Sequence, residues 1–154
     1  MYLELGLTGL GYLLGSISPG YFFGKLVKGK DIRKYGNKNT GATNTYKVVG
    51  PVYGVIAALF DFAKGAIAML LAISLGLHEF VVYGVGLFAV IGHNYPFYLG
   101  FQGGKGVATS LGLSLLAIVY YGSLYAFLLT LVFVLRAVMI SKNFRGRIHG
   151  WLSG

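Results

Sequence analysis

Two polar, glycine-rich segments hold most of the residues whose types and spacing suit chemistry. The first is Gly29-Lys30-Asp31-Ile32-Arg33-Lys34-Tyr35-Gly36-Asn37-Lys38-Asn39-Thr40-Gly41-Ala42-Thr43-Asn44. It is too polar to cross a membrane and too rich in Gly, Asn and Thr to make a good helix. Glycines let backbone N–H groups turn toward an anion, and Asn and Thr side chains add neutral donors. Arg33 offers a bidentate fork for a phosphate or carboxylate. A solvated cationic loop accounts for the same composition.

The second segment is Gly100-Phe101-Gln102-Gly103-Gly104-Lys105-Gly106-Val107-Ala108-Thr109. It shares the chemistry of a nucleotide-binding P-loop but not the spacing, because Gly106 follows the lysine where Ser or Thr would stand. A glycine-rich turn that feeds a helix start still offers backbone donors and a positive dipole end to a phosphate, with Lys105 as a point charge. Read alone, it is equally a flexible turn with one interfacial lysine.

Ionisable residues inside apolar runs are few. Asp61 and Lys64 stand at i, i+3 and pair on one helix face, a structural role more than a catalytic one. His93 and Asn94 precede Pro96 near the end of an apolar run, where a lone His is commonly a satisfied hydrogen-bonding group. The histidines are scattered and the acids scarce, so no metal site is expected. No Ser-His-Asp triad can be argued, although Ser16, Ser18, Ser110 and Ser114 leave hydroxyls available.

The elements that must position these residues follow from composition. Of 154 residues, 56% are hydrophobic and 11% charged, less than half the charge of a soluble domain. With mean hydropathy +0.71 and no cysteine, the chain is neither an ordinary cytosolic enzyme, a disordered tail nor a disulfide-stapled secreted domain. It reads as an all-α, polytopic membrane helical bundle, a single integral membrane domain over residues 1–154. The first apolar run covers about residues 3–23, close to the roughly 20 needed to span. It lacks a basic leader, so a cleaved signal peptide is not expected. Pro51 opens a second run to about residue 75, and a tight connection at 76–79 leads into a third, about 80–99.

Residues 107–135 are long for one helix and short for two. The net charge is +9, and seven basic residues (Lys25, Lys28, Lys30, Arg33, Lys34, Lys38, Lys47) crowd between the first two runs. Arg136, Lys142, Arg145 and Arg147 lie near the end of the chain. If both basic clusters are cytoplasmic, the N-terminus lies outside, the C-terminus inside, and 107–135 starts a pair. A short fourth helix (about 107–119) and a fifth (about 123–140) are expected, with a turn at Tyr120-Tyr121-Gly122-Ser123. The glycine-rich loops then face the cytoplasm. The basic residues suit a phosphate-bearing ligand or anionic lipid. Nucleic acid is not an expected partner, because the basic stretches sit between spans.

Together the segments resemble a family. Gly15-Ser16-Ile17-Ser18-Pro19-Gly20-Tyr21, Asp31-Ile32-Arg33 and Asn39-Thr40-Gly41-Ala42-Thr43-Asn44 resemble the first conserved region of the bacterial acyl-phosphate:glycerol-3-phosphate acyltransferases. Residues 61–65, Gly92-His93-Asn94-Tyr95-Pro96 and residues 100–112 resemble its later segments. The resemblance implies a membrane enzyme of phospholipid synthesis in the bacterial plasma (inner) membrane. Such an enzyme moves an acyl group from acyl-phosphate to the 1-hydroxyl of glycerol 3-phosphate, giving lysophosphatidate and phosphate. Acyl-phosphate is already activated, so neither a cofactor nor a covalent nucleophile is implied, and positioning and charge neutralisation suffice.

Carried onto this sequence, the resemblance implies catalytic roles for Arg33, Asn37, Lys105, His93 and Asn143. It implies phosphate-binding roles for Asn39, Thr43, Asn44, Gly103, Gly104, Gly106 and Thr109. The family pattern departs in places. Gly36-Asn37-Lys38-Asn39 stands where it reads Gly-Ser-Gly-Asn, and Gln102 stands where it reads Lys. Ile140 falls at its His position, and its closing acid has no counterpart here. Five helices would be one pair fewer than the family's usual set. A catalytically impaired paralogue that binds lipid or phosphate, and a small anion carrier, are the competing readings. Acyl-chain preference and oligomeric state are not encoded legibly.

Overall fold

The computed structural model describes residues 2–122 and, beyond them, Leu128, Leu131 and Val132. Among the described residues the regular structure is entirely helical. The first apolar run is two helices and not the single span expected: α1 (Tyr2–Ser16) and α2 (Pro19–Lys28). Pro19 lacks an N–H and pushes the residue before it out of helical geometry, and Ser18 accordingly has φ −114° and ψ 87°. Backbone groups freed at membrane depth need new partners, and other helices supply them. The Tyr98 hydroxyl donates to Ser16 O at 2.8 Å and accepts from the Ser18 N–H at 3.2 Å. Lys64 Nζ donates to Ile17 O at 2.8 Å. At its far end α2 closes on Gly29, φ +62°, with the Lys30 N–H donating to Gly24 O and the Gly29 N–H to Lys25 O. That paired C-terminal bond pattern requires a left-handed residue, here glycine.

Residues 29–44 are mostly irregular, as expected, but two short pieces are ordered. Asp31 caps a 3-10 turn at Ile32–Lys34 by accepting the Arg33 N–H at 3.0 Å. Helix α3 (Ala42–Val48) begins two residues before the polar segment ends, started by bonds from the Asn44 and Thr45 N–H groups to Gly41 O. Helix α4 (Pro51–Ser74) opens at the proline, and α5 (Glu79–Asn94) follows the short 75–78 connection. Proline at 96 ends α5, and a 3-10 turn at Phe97–Leu99 continues it. Helix α6 (Val107–Tyr121) runs two residues beyond the expected end, so Tyr120 and Tyr121 belong to it and Gly122, φ +62°, stops it. The expected fifth helix, Asn143 and the basic tail lie outside the described residues, apart from the isolated positions above.

Among the described residues two segments, Pro51–Ser74 and Glu79–Leu99, are long and apolar enough to cross a membrane; α6 is apolar but shorter. The interfaces depend on glycine. A Cβ at Gly15 would overlap the Ala89 backbone, and one at Gly92 the Tyr12 carbonyl, so α1 and α5 meet backbone to backbone. Gly65 lies against Thr109 and Gly112 against Phe62 in the same way, between α4 and α6. Lipid offers no hydrophobic drive between helices, so close packing of small residues must hold them together. Ala68, Met69, Ala72, Val82, Val85, Ala89, Val90, Leu113 and Ala117 fill the buried centre. Leu59, Phe60 and Leu115 are exposed on the outside, the surface lipid would cover.

Candidate active site

The two glycine-rich segments meet at one end of the bundle around a cavity of about 340 Å³. Its walls come from Asn37, Asn39 and Thr43 on the first segment, Asp61 on α4, His93 on α5, and Lys105 through Ala108 on the second. Ala58 and Leu111 make its apolar side.

The first segment is held in shape by Asn44, which is fully buried. Its Nδ2 donates to Ile32 O at 2.9 Å and Asn39 O at 2.8 Å, and its Oδ1 accepts the Asn37 N–H at 2.6 Å. Asn44 was expected to bind phosphate; its polar atoms instead organise the loop that presents Asn37 and Asn39. Arg33 differs in the same way. Its guanidinium grips the Asp31 carboxylate, with Nη2 at 2.7 Å from Oδ2, donates through Nη1 to Leu99 O, and lies over the Tyr21 ring. It does not line the cavity. The ion pair holds the Asp31 carboxyl below its ordinary 3.8 and pushes the Arg33 guanidinium above its ordinary value.

The second segment is anchored by backbone bonds. The Gly103 N–H donates to Asn94 O and the Gly104 N–H to His93 O, both at 3.0 Å. The expected anion donors at Gly103 and Gly104 are therefore taken. A side chain at Gly104 would overlap the His93 imidazole, and one at Gly103 the His93 carbonyl. These glycines let the loop lie flat on α5. The donors left for a ligand belong to the next turn. Gly106, φ +75°, starts α6, whose first helical bond runs from the Ser110 N–H to Gly106 O at 2.8 Å. The N–H groups of Val107, Ala108 and Thr109 thus have no partner within the helix, and Val107 and Ala108 face the cavity. The Thr109 side chain is buried against Gly65 and does not line the cavity.

Beneath the cavity three ionisable side chains converge. Lys64 Nζ lies 2.9 Å from Asp61 Oδ1 and 2.8 Å from His93 Nδ1, and His93 Nδ1 lies 3.3 Å from Asp61 Oδ1. The Asp61–Lys64 pair was legible from spacing. His93 as its third member was not, because that depends on how α5 packs on α4. Asp61 and Lys64 had been read as structural and absent from the candidate site, yet Asp61 lines it. No group of residues fit to hold a metal occurs among the described residues.

Apolar helices packed through glycine, with a cavity at one end bounded by Lys105 and a helix N-terminus, define an integral membrane helical protein. The glycerol-3-phosphate acyltransferase family model matches residues 5–146. A glycerol-3-phosphate acyltransferase of Staphylococcus haemolyticus is 46% identical over 77% of this chain and 67% of its own length. One of Streptococcus thermophilus is 46% identical over 86% of this chain and 60% of its own. The glycerol 3-phosphate form of PlsY (YgiH), an integral membrane glycerol 3-phosphate acyltransferase, superposes with a TM-score of 0.72 at 33% identity, covering 98% of this chain and 92% of that one. Its lysophosphatidic acid form gives 0.67 at 38% identity, over 92% and 74%. The chain belongs to the glycerol-3-phosphate acyltransferase family. It spans about two thirds or less of the length of these curated relatives.

Proposed function

We propose that this protein transfers an acyl group from acyl-phosphate to the 1-hydroxyl of glycerol 3-phosphate, giving lysophosphatidate and phosphate. The observation that carries this reading is the single cavity where both glycine-rich segments meet at the end of an apolar bundle. There Lys105 and the first turn of α6 offer a charge and free backbone N–H groups to phosphate oxygens. Asn37, Asn39 and Thr43 supply neutral donors and acceptors for the glycerol hydroxyls. The volume is at the small end for ligand sites and suits a compact polar substrate.

In the reaction the 1-hydroxyl oxygen attacks the acyl carbon, the bond from that carbon to the phosphate oxygen breaks, and the hydroxyl proton leaves with the phosphate. The enzyme's part is alignment of the two substrates and neutralisation of the departing phosphate by Lys105 and the α6 dipole. The relatives named as glycerol-3-phosphate acyltransferases, and the PlsY forms named for glycerol 3-phosphate and lysophosphatidic acid, support the substrate and product.

The whole chain works as one integral membrane domain of the bacterial plasma membrane, with the N-terminus outside and the cavity and C-terminus cytoplasmic. The crowding of seven basic residues from Lys25 in the last turns of α2 to Lys47 just before α4 supports that orientation. The chain has no cysteine, so single cysteines at Leu3 and Lys38 can be tested with an impermeant reagent; labelling of Lys38→Cys from outside intact cells would reverse it. The activity is tested by acyl transfer from acyl-phosphate to labelled glycerol 3-phosphate with the purified protein in lipid. Labelled lysophosphatidate supports the reading. Folded protein that makes none refutes it and leaves a phosphate- or lipid-binding relative.

A further inference from the structure

Lys64 stands where three elements meet. Its Nζ is 2.8 Å from Ile17 O, 2.8 Å from His93 Nδ1 and 2.9 Å from Asp61 Oδ1. An ammonium has three N–H donors and no acceptor; here it donates to Ile17 O and His93 Nδ1 and pairs with the Asp61 carboxylate. His93 Nδ1 is then an acceptor, and a neutral imidazole must carry its proton on Nε2.

Two other proton arrangements fit worse. An imidazolium would set two cations 2.8 Å apart with no proton acceptor between them. A neutral Lys64 amine accepting from the Nδ1–H of a neutral imidazole would leave Asp61 as a buried, uncompensated anion, and accepting from an imidazolium would leave the proton on the weaker base. Ammonium, carboxylate and neutral imidazole together carry no net charge, which a buried site favours. All three side chains are at most 9% exposed. Nε2 is the ring atom that a side chain at Gly104, next to Lys105, would meet first, and His93 forms part of the cavity wall.

We propose that Lys64 is a positioning residue that locks His93 in the Nε2–H tautomer, so that the imidazole presents a neutral hydrogen-bond donor to a phosphate group in the cavity. With its proton on Nε2 and its lone pair held by Lys64, His93 donates to the ligand and is not a base toward it. A phosphate as the ligand follows from the function proposed above, whereas the tautomer follows from Lys64 alone.

Nitrogen-15 NMR of histidine-labelled protein in lipid reads the tautomer without any activity. The chain has three histidines, and His93→Gln identifies the His93 signals by their loss. The expected result at neutral pH is a bare Nδ1 and a protonated Nε2. In Lys64→Met the proton moves to Nδ1, where Asp61 accepts it. A wild-type His93 protonated at Nδ1, alone or at both nitrogens, overturns the proposal even if Lys64→Met does not fold.

The donor role is read from kinetics. Gln keeps an amide N–H near the place of Nε2, and Asn does not. His93→Asn should therefore raise KM for glycerol 3-phosphate about tenfold more than His93→Gln, the scale of one hydrogen bond. An equal collapse of kcat in both variants overturns the donor role and indicates a base. Absence of acyl transfer in the wild type refutes the proposed function, while the NMR result still decides the tautomer.

Discussion

The Lys64 ammonium lies 2.8 Å from the carbonyl oxygen of Ile17, the residue at which the first apolar segment breaks. One side chain thus supports an interrupted helix and, through Asp61 and His93, the floor of the cavity. Tyr98 serves the same break from the other side, bonding the carbonyl before it and the N–H after it.

Tyr98→Phe should destabilise the fold. It removes the hydroxyl from Ser16 O and Ser18 N–H and leaves both without that partner. A loss of about 1–3 kcal/mol is expected, seen as a lower Tm in lipid or detergent. An unchanged Tm would mean that the break finds other partners.

Asn44→Ala removes three hydrogen bonds that shape the first loop. At about 1 kcal/mol each, the loss should approach 2–3 kcal/mol, with faster proteolysis within residues 35–43. Cleavage at the wild-type rate would show that the loop is held by other contacts.

Lys38→Gly should stabilise the protein. Lys38 has φ +53°, a left-handed conformation that costs a residue with a Cβ about 1–2 kcal/mol. Glycine's greater freedom in the unfolded chain returns part of that, so a gain of about 0.5–1 kcal/mol is expected in denaturant unfolding.

Lys105→Ala should lower kcat/KM by about 10²-fold or more, the scale of losing one charged contact to a transferring phosphate, with the protein still folded. Wild-type turnover in that variant would remove Lys105 from the site.

The Asp31–Arg33 pair makes a pH-dependent contribution. Arg33 depresses the Asp31 carboxyl below 3.8, so the folded state favours its charged form. The stabilisation is complete above about pH 5, since that clears the unfolded value, and fades as pH falls through the depressed folded value. Wild type should therefore exceed Asp31→Asn in stability at pH 7, with the gap closing toward pH 3. A gap that widens on acidification would reverse the assigned direction.

Much of this protein could be read before any coordinates. The apolar runs, the start of α4 at Pro51 and the two glycine-rich segments follow from local chemistry: hydrocarbon needs apolar length, and proline needs a first turn. Asn37, Asn39, Lys105 and His93 are legible as polar residues, and the fold brings all four to one cavity. The break at Ser16–Pro19 was not read, although Pro19 marks it, because a proline in an apolar run ends a helix only where other groups satisfy the freed backbone.

Those other groups are what only the tertiary structure decides. Sequence identifies donors, but packing determines which remain available. Gly103 and Gly104 donate to carbonyls of α5, Arg33 is folded onto Asp31, and Asn44 is turned inward. The open donors come instead from the first turn of α6. Lys64 and His93 are 29 residues apart in the chain and 2.8 Å apart in space. Local propensity specifies where helices form, but the hydrogen bonds of a buried site depend on which helices meet, and glycine contacts between their backbones set that here.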